Sequence, residues 1–308
     1  MDYRDVITYL ITPESAPRKI VNEILLTLGF RQIITGQTFA DVKKAIEDNR
    51  GDIIILGAQF DDGDIHELVK SVRSGRFGPN PFLPFLTFVN NPTKKMVNDV
   101  SNSGSDDLIS YPMSPNTLAE RIAALVENRK PFVVTADYIG PDRRHSTKRR
   151  EGTMDIPLID APNTLRTRVK KDVTYDELQK AIIKAKGTIQ SQRVDRSVDQ
   201  VAWLVARILA GYFWADGATL EPEIVEFVEK LTVMAHELEF QLKGKENKNI
   251  AKLCGPLHVV SARLQVHGAN AEKQDLKLLD LVSTAFKYTL ENKQDDKFVK
   301  QINALIES

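Results

Sequence analysis

Residues 53–56 read Ile-Ile-Ile-Leu, with no polar position among them. A strand with one wet face alternates apolar and polar residues, so an unbroken apolar run of this length belongs to a strand covered on both faces. The neighbouring segments supply the covers. Val6–Ile11 and Gln32–Thr35 read as strands, and between them Pro17–Leu28 carries Ile20, Val21, Ile24, Leu25 and Leu28 at helical spacing. Pro17 suits the first turn of that helix and Gly29 its end. Thr38 can cap a helix running to about Glu47. Beyond the apolar run come a helix over Asp64–Arg73, a strand over Pro84–Val89 and a helix over Pro92–Ser103, then a strand over Asp107–Ser110 and a helix over Ser114–Glu127. Five strands alternating with five helices predict a doubly wound parallel sheet with right-handed crossovers. Ligands of such sheets sit beyond the carboxyl ends of the strands.

After Lys130 the alternation stops. Residues 130–173 hold four prolines and no sustained period, and read as a basic linker. From Thr174 the chain turns helical. Thr174 and Glu177 fit a capping box, and Leu178, Ala181, Ala185 and Ile189 follow on one face. Val198–Phe213 is apolar nearly all round, which predicts a central helix. Ile224, Val228, Leu231, Ala235, Leu238 and Leu242 form a further stripe, as do Leu278, Val282 and Ala285, and then Phe298, Ile302 and Leu305. Gly255-Pro256 is expected to break the helix between them. The reading is an α/β domain over residues 1–129, a linker over 130–173 and an all-α bundle of about five or six helices over 174–308. A chain of 308 residues accommodates two domains.

Formal charge balances, 42 basic against 42 acidic residues, so no global field draws the chain to nucleic acid or anionic lipid. The single cysteine, Cys254, excludes an internal disulfide and a cysteine-based zinc site. The opening MDYRDVITYL lacks signal-peptide order, and the densest apolar run, Val201–Trp214, is short for a membrane span and contains Arg207. A cytoplasmic protein without a membrane span is expected. No P-loop, HExxH, GxGxxG after a strand or serine–histidine–acid arrangement is present, so neither an enzyme nor a cofactor or metal site is expected.

The first half resembles the receiver domain of response regulators. Asp52-Ile-Ile-Ile-Leu56 is similar to that family's third strand, Glu67-Leu68 and Arg73 to its third helix, Arg18-Lys19-Ile20-Val21 to the start of its first helix, and Tyr111-Pro112 stands where the family has Lys-Pro. The resemblance implies phosphoryl transfer to an aspartate. That needs a carboxylate nucleophile, an acidic pair for Mg²⁺, and a hydroxyl and a lysine to hold the phosphoryl oxygens. At those positions stand Gly57, then Thr12 and Pro13 with Glu14 beside them, then Asn90 and Tyr111; the switch aromatic falls on Leu108. A degenerate, pseudo-receiver domain that cannot be phosphorylated is therefore expected. The resemblance also implies a partner or homodimer face from helix 4, strand 5 and helix 5, around Lys94–Asn102, Asp107–Tyr111 and Pro115–Asn128. Pro112 is where the family carries a cis peptide.

Other features read more plainly. Asp61, Asp62 and Asp64 suggest a solvated acidic loop with Asp64 capping the next helix. Arg143, Arg144, Lys148, Arg149 and Arg150 form a basic strip: a solubilising linker or a strip docked on its own domain, with nucleic acid, an anionic membrane or a cyclic dinucleotide as alternatives. His236, His258 and His267 show no metal spacing, and Lys243-Gly244 comes too late after His236 for a phosphotransfer helix. The leading functional reading is a non-catalytic adaptor in a bacterial-type two-component pathway or phosphorelay, acting through protein contacts. The second is a nucleic-acid-binding regulator using the basic strip with the helical domain.

Overall fold

In the computed structural model, residues 1–143, 156–215, 219–242, 248–291 and 302 are described. The chain divides into two compact units, Met1–Gln192 and Arg193–Ser308.

The first unit is built on β1 (Ile7–Ile11), β2 (Gln32–Gly36), β3 (Ile53–Gly57), β4 (Phe85–Asn90) and β5 (Asp107–Tyr111), interleaved with α1 (Ser15–Thr27), α2 (Phe39–Asp48), α3 (Ile65–Arg73), α4 (Lys94–Ser103) and α5 (Pro115–Glu127). The strands pair in parallel in the order β2-β1-β3-β4-β5, the doubly wound order of receiver domains. Every residue of β3 is buried. Ile53 and Ile55 pack with Val21, Leu25, Leu118 and Ile122 of α1 and α5, while Ile54 and Leu56 pack with Val42, Ile46, Leu68 and Val69 of α2 and α3. The unbroken apolar run thus feeds two cores, one on each face. Hydrogen bonds start the helices where the sequence suggests: Thr38 closes a capping box with Asp41, Asp64 accepts from the backbone N–H groups of His66 and Glu67, and Ser114 accepts from Thr117.

The described part of residues 130–173, expected as a linker, is folded onto this unit. β6 (Phe132–Val134) and β7 (Ile139–Pro141) form an antiparallel hairpin, and Phe132 exchanges backbone hydrogen bonds with Ile159 at 2.8 Å each way. α6 (Thr164–Lys170) follows, capped by Asn163, whose Nδ2 also donates to the Leu125 carbonyl. Phe82, Phe132, Val134 and Ile159 make a third core with Leu178 and Ile182.

The anchor of this extension is Arg73, fully buried at the end of α3. Its guanidinium donates to the carbonyls of Gly104, Pro81 and Leu83 and to Asp106, all at 2.7–2.8 Å, and its carbon lies about 5 Å from the rings of Phe85 and Phe132. Asp106 receives in addition Arg129 Nε at 2.7 Å and the Phe85 N–H at 2.9 Å. Burial pulls the Arg73 guanidinium down to about 10 against the opposing effect of Asp106, so it stays charged at neutral pH.

The second unit packs the C-terminal part of α7 (Tyr175–Ala215) with α8 (Pro222–Leu242), α9 (Lys248–His267) and α10 (Lys273–Glu291) around Val201, Leu204, Leu231, Leu253, Val282 and Phe286. Two expectations are corrected here. The segments read as separate helices, from Thr174 and from Val198, are one helix of 41 residues, because the polar stretch between them contains no breaker beyond Gly187, which is compatible with a helix. The Thr174–Glu177 capping box does form at its start. The bundle has four long helices among the described residues. Nor does Gly255-Pro256 end a helix: Pro256 lies inside α9, where Leu253, Cys254, Leu257 and Val260 are buried. Packing of that face offsets the roughly 3 kcal/mol that an interior proline costs. The stripe at Phe298–Leu305 lies outside the described residues except for Ile302, which is buried.

Replacing Asp106 by alanine leaves the buried Arg73 charge without its counter-ion. We expect a loss of about 3–5 kcal/mol of stability for the first unit, measured by urea unfolding; a loss below about 1 kcal/mol would mean the buried charge is held by the carbonyls alone.

Candidate functional site

The carboxyl edge of the sheet is where receiver chemistry would sit. The strand register aligns Ile11 with Leu56, Gly57 with Phe88, and Asn90 with Tyr111. Thr12, Gly57 and Phe88 therefore meet at the ends of three adjacent strands. Thr12 is buried, and its Oγ1 lies 2.6 Å from where a Cβ on Gly57 would stand, with its Cβ at 3.1 Å and Phe88 Cζ at 3.8 Å. A side chain at position 57 would therefore meet Thr12 at its first carbon, and Thr12 would have to shift to admit it. What remains is a cavity of about 10 Å³ lined by Thr12, Glu14, Gly57, Ala58, Gln59 and Phe88. That is about the room one water needs, and no more.

The donor set does not fit Mg²⁺, which takes carboxylates and water. Glu14, exposed at the rim, is the single carboxylate lining the cavity, Pro13 brings no side-chain donor, and Gly57 brings no side chain. The backbone oxygens of the loop after β1 face a cation from the same chain instead: Arg18 Nη1 donates to the Thr12 carbonyl at 2.6 Å and to the Pro13 carbonyl at 3.4 Å.

Asn90 and Tyr111 share the carboxyl edge but do not line the cavity. Tyr111 leans its ring against Phe88, with centroids 6.3 Å apart, and the Tyr111–Pro112 peptide is cis, as the resemblance implied. Leu108 packs against the small cluster of Ala58, Val89 and Val100. In the acidic loop, both Asp62 carboxylate oxygens accept from the Phe39 N–H at 3.2 Å, and Asp64 caps α3. Two of the three carboxylates thus serve helix starts.

Of the basic strip, Arg143 donates to the Ser105 carbonyl at 2.6 Å. Arg144, Lys148, Arg149 and Arg150 lie outside the described residues. His236 and His258 are exposed and on different helices. Cys254 is buried with its Sγ toward the Ile250 carbonyl, and burial pushes its thiol up to about 12, which leaves it without thiolate character at neutral pH. Among the described residues no helix is long and apolar enough to cross a membrane.

Two residues at this edge escaped the sequence reading. Phe88 was legible only as a strand residue, and its place beside Gly57 comes from register. Arg18 was read as part of a helix start, and its turn back onto the β1 loop is set by α1 beginning at Ser15.

No family model matches the chain, and no curated protein does. Among solved structures it is similar to a CheY-like response regulator receiver domain from Methanospirillum hungatei JF-1, at 19% identity over 38% of this chain and 91% of that one, with a TM-score of 0.34. It is also similar to the response regulator DrrB of Thermotoga maritima, at 19% identity over 41% and 55% of the two chains, TM-score 0.35. A third is the receiver domain of the sensor histidine kinase PA1611 from Pseudomonas aeruginosa PAO1, solved with magnesium in its active-site cleft, at 17% identity over 39% and 95%, TM-score 0.33. Likeness at this level bears on fold alone. The first unit is receiver-like by its own strand order, parallel register and two-faced helical cover.

The packing of Thr12 against Gly57 makes their substitutions interdependent. Gly57→Asp is expected to destabilise by about 1–3 kcal/mol through overpacking. Thr12→Ala in the same chain should recover part of that loss, a coupling of at least about 0.5 kcal/mol in a double-mutant cycle. Additive effects in thermal or urea unfolding would show that the two side-chain volumes do not compete.

Proposed function

We propose that the chain is a non-catalytic signalling adaptor whose receiver-like unit has lost phosphoryl transfer and acts through protein contacts. The observation that carries this reading is the close packing of the carboxyl edge: Thr12 Oγ1 lies 2.6 Å from where even the first side-chain carbon at position 57 would stand. A receiver also needs metal ligands and a phosphate clamp, and Thr12, Pro13, Asn90 and Tyr111 supply neither a carboxylate pair nor a lysine. Joint loss of all these parts removes the reaction but leaves the scaffold and its surface.

The surface best placed for a partner is that of α4, β5 and α5. β5 is the edge strand of the sheet, and the adjacent helices expose Asn98, Glu120 and Ala124, with Val97 of α4 half-buried. Asp107 and Arg121 form an ion pair there at 3.3 Å. A protein partner in a two-component or related pathway, or a second copy of the chain, is the class of ligand such a face takes. The alternative of nucleic acid rests on the basic strip, whose one described member, Arg143, is engaged with the Ser105 carbonyl.

Incubation with acetyl phosphate and Mg²⁺ is expected to leave no acid-labile phosphate on the chain, read by intact mass. A stoichiometric increment of one phosphoryl group would overturn the reading. In a nuclease-treated pull-down from the source cell, Val97→Glu is expected to remove the recovered partner while leaving the helical content of the chain unchanged; retention of the partner would move the contact away from α4.

A further inference from the structure

Among the described residues, the part of α7 within the second unit has a covered apolar face and an outer one that α8 touches only along its edge, where the Trp203 ring meets Phe227 edge-on at 5.3 Å and Arg207 pairs with Glu223 at 3.8 Å. The inner face, with Val201, Leu204, Val205 and Ile208, is buried in the bundle. The outer face runs Trp203, Ala206, Arg207, Ala210, Phe213 and Trp214, spaced at three and four residues along one side of the helix. Trp203 is 54% exposed, Phe213 76% and Trp214 81%. A helix that is apolar all round is a helix with both sides buried, so this outer face calls for a cover.

The pattern itself says what fits. Aromatic residues stand at each end, at Trp203 and at Phe213–Trp214, with the small side chains of Ala206 and Ala210 between them. The sequence is self-complementary when two copies run antiparallel: Trp203 meets Trp214, and Arg207, held at the edge of the strip by Glu223 of α8 at 3.8 Å, meets the small Ala210. The apolar stretch is bounded on its N-terminal side by the Arg196–Asp199 pair, at 3.6 Å, which continues the same face as a polar rim. Three rings of about 200 Å² each, all more than half exposed, put on the order of 400 Å² of aromatic surface on one copy. Two copies then withdraw roughly 800 Å² from water, the apolar centre of a standard interface of about 1,600 Å².

We propose that this face of α7 is a self-association surface, closed by a second copy packed antiparallel across a two-fold axis near Leu209. It belongs to the helical unit and is independent of the receiver-like unit's partner face. Both tryptophans of the chain lie on it, so their fluorescence reports on its burial directly.

The test uses the full chain in analytical ultracentrifugation and tryptophan emission, over a dilution series from micromolar to nanomolar. We expect a species of twice 34.6 kDa at the upper end, with emission moving to longer wavelength as it dissociates. Trp214→Lys and Ala210→Glu, both at exposed positions, are each expected to give the single-chain mass with unchanged helical circular dichroism. A single-chain mass at all concentrations overturns the proposal. If emission then stays at short wavelength, the chain's own residues beyond 291 or another segment cover the face; if it stays at long wavelength, the face waits for a different protein. A double mass that survives both substitutions also overturns it, and places the dimer elsewhere.

Discussion

The first unit depends on one carboxylate. Asp106 stands in the turn between α4 and β5 and receives two guanidinium groups and a backbone N–H, and both guanidinium groups lie over the ring of Phe132. A buried guanidinium with no counter-ion would cost several kcal/mol. Arg73 therefore commits the end of α3, the approach to β4 through Pro81 and Leu83, and the α4–β5 turn to one geometry. Arg129 then draws the chain leaving α5 into the same knot. The hairpin and α6 are held on the unit by this polar centre and by the apolar cluster around Phe82 and Phe132.

The opposite edge of the sheet is organised by the reverse principle. Where a receiver keeps open space and charge, this chain has close packing: a buried threonine, a glycine and a phenylalanine at the ends of three neighbouring strands. Arg18 answers the loop's carbonyl oxygens from within. A fold can survive such filling because most of its core lies between the sheet and the two helical layers, and Phe88 joins the edge to that core rather than leaving it open.

Much of the first unit was legible because its signals are local. The apolar run at 53–56, the caps at Thr38, Asp64 and Ser114, and the helical spacing of Leu118, Ile122 and Leu125 each act within a few residues. The vacancies at 12, 13 and 57 were visible against a family pattern, but that Thr12 fills the space of Gly57 depends on strand register. Residues 130–173 read as a linker because β6 and β7 have only three residues each, too short for a periodic signal, and the apolar cluster they join draws on Phe82 and Leu178, far away in sequence. Pro256 misled for the opposite reason: a strong local breaker was overruled by burial of the helix face around it. The 41-residue α7 was divided by a polar stretch that a helix tolerates.

The crossing of two backbones near the buried carboxylate gives this arrangement a signature. Gly104 ends α4 with a φ of 89°, and Gly140 in β7 approaches so closely that its missing Cβ would lie 2.8 Å from Gly104 Cα, while a Cβ on Gly104 would meet the Ile139 carbonyl at 2.6 Å. Neither position tolerates a side chain while the other segment is docked. Two glycines 36 residues apart are thus one joint requirement, and a receiver-like chain that carries both, followed by the Pro-Asp-Arg of residues 141–143, is marked as having the docked hairpin even where overall identity has fallen too far to align.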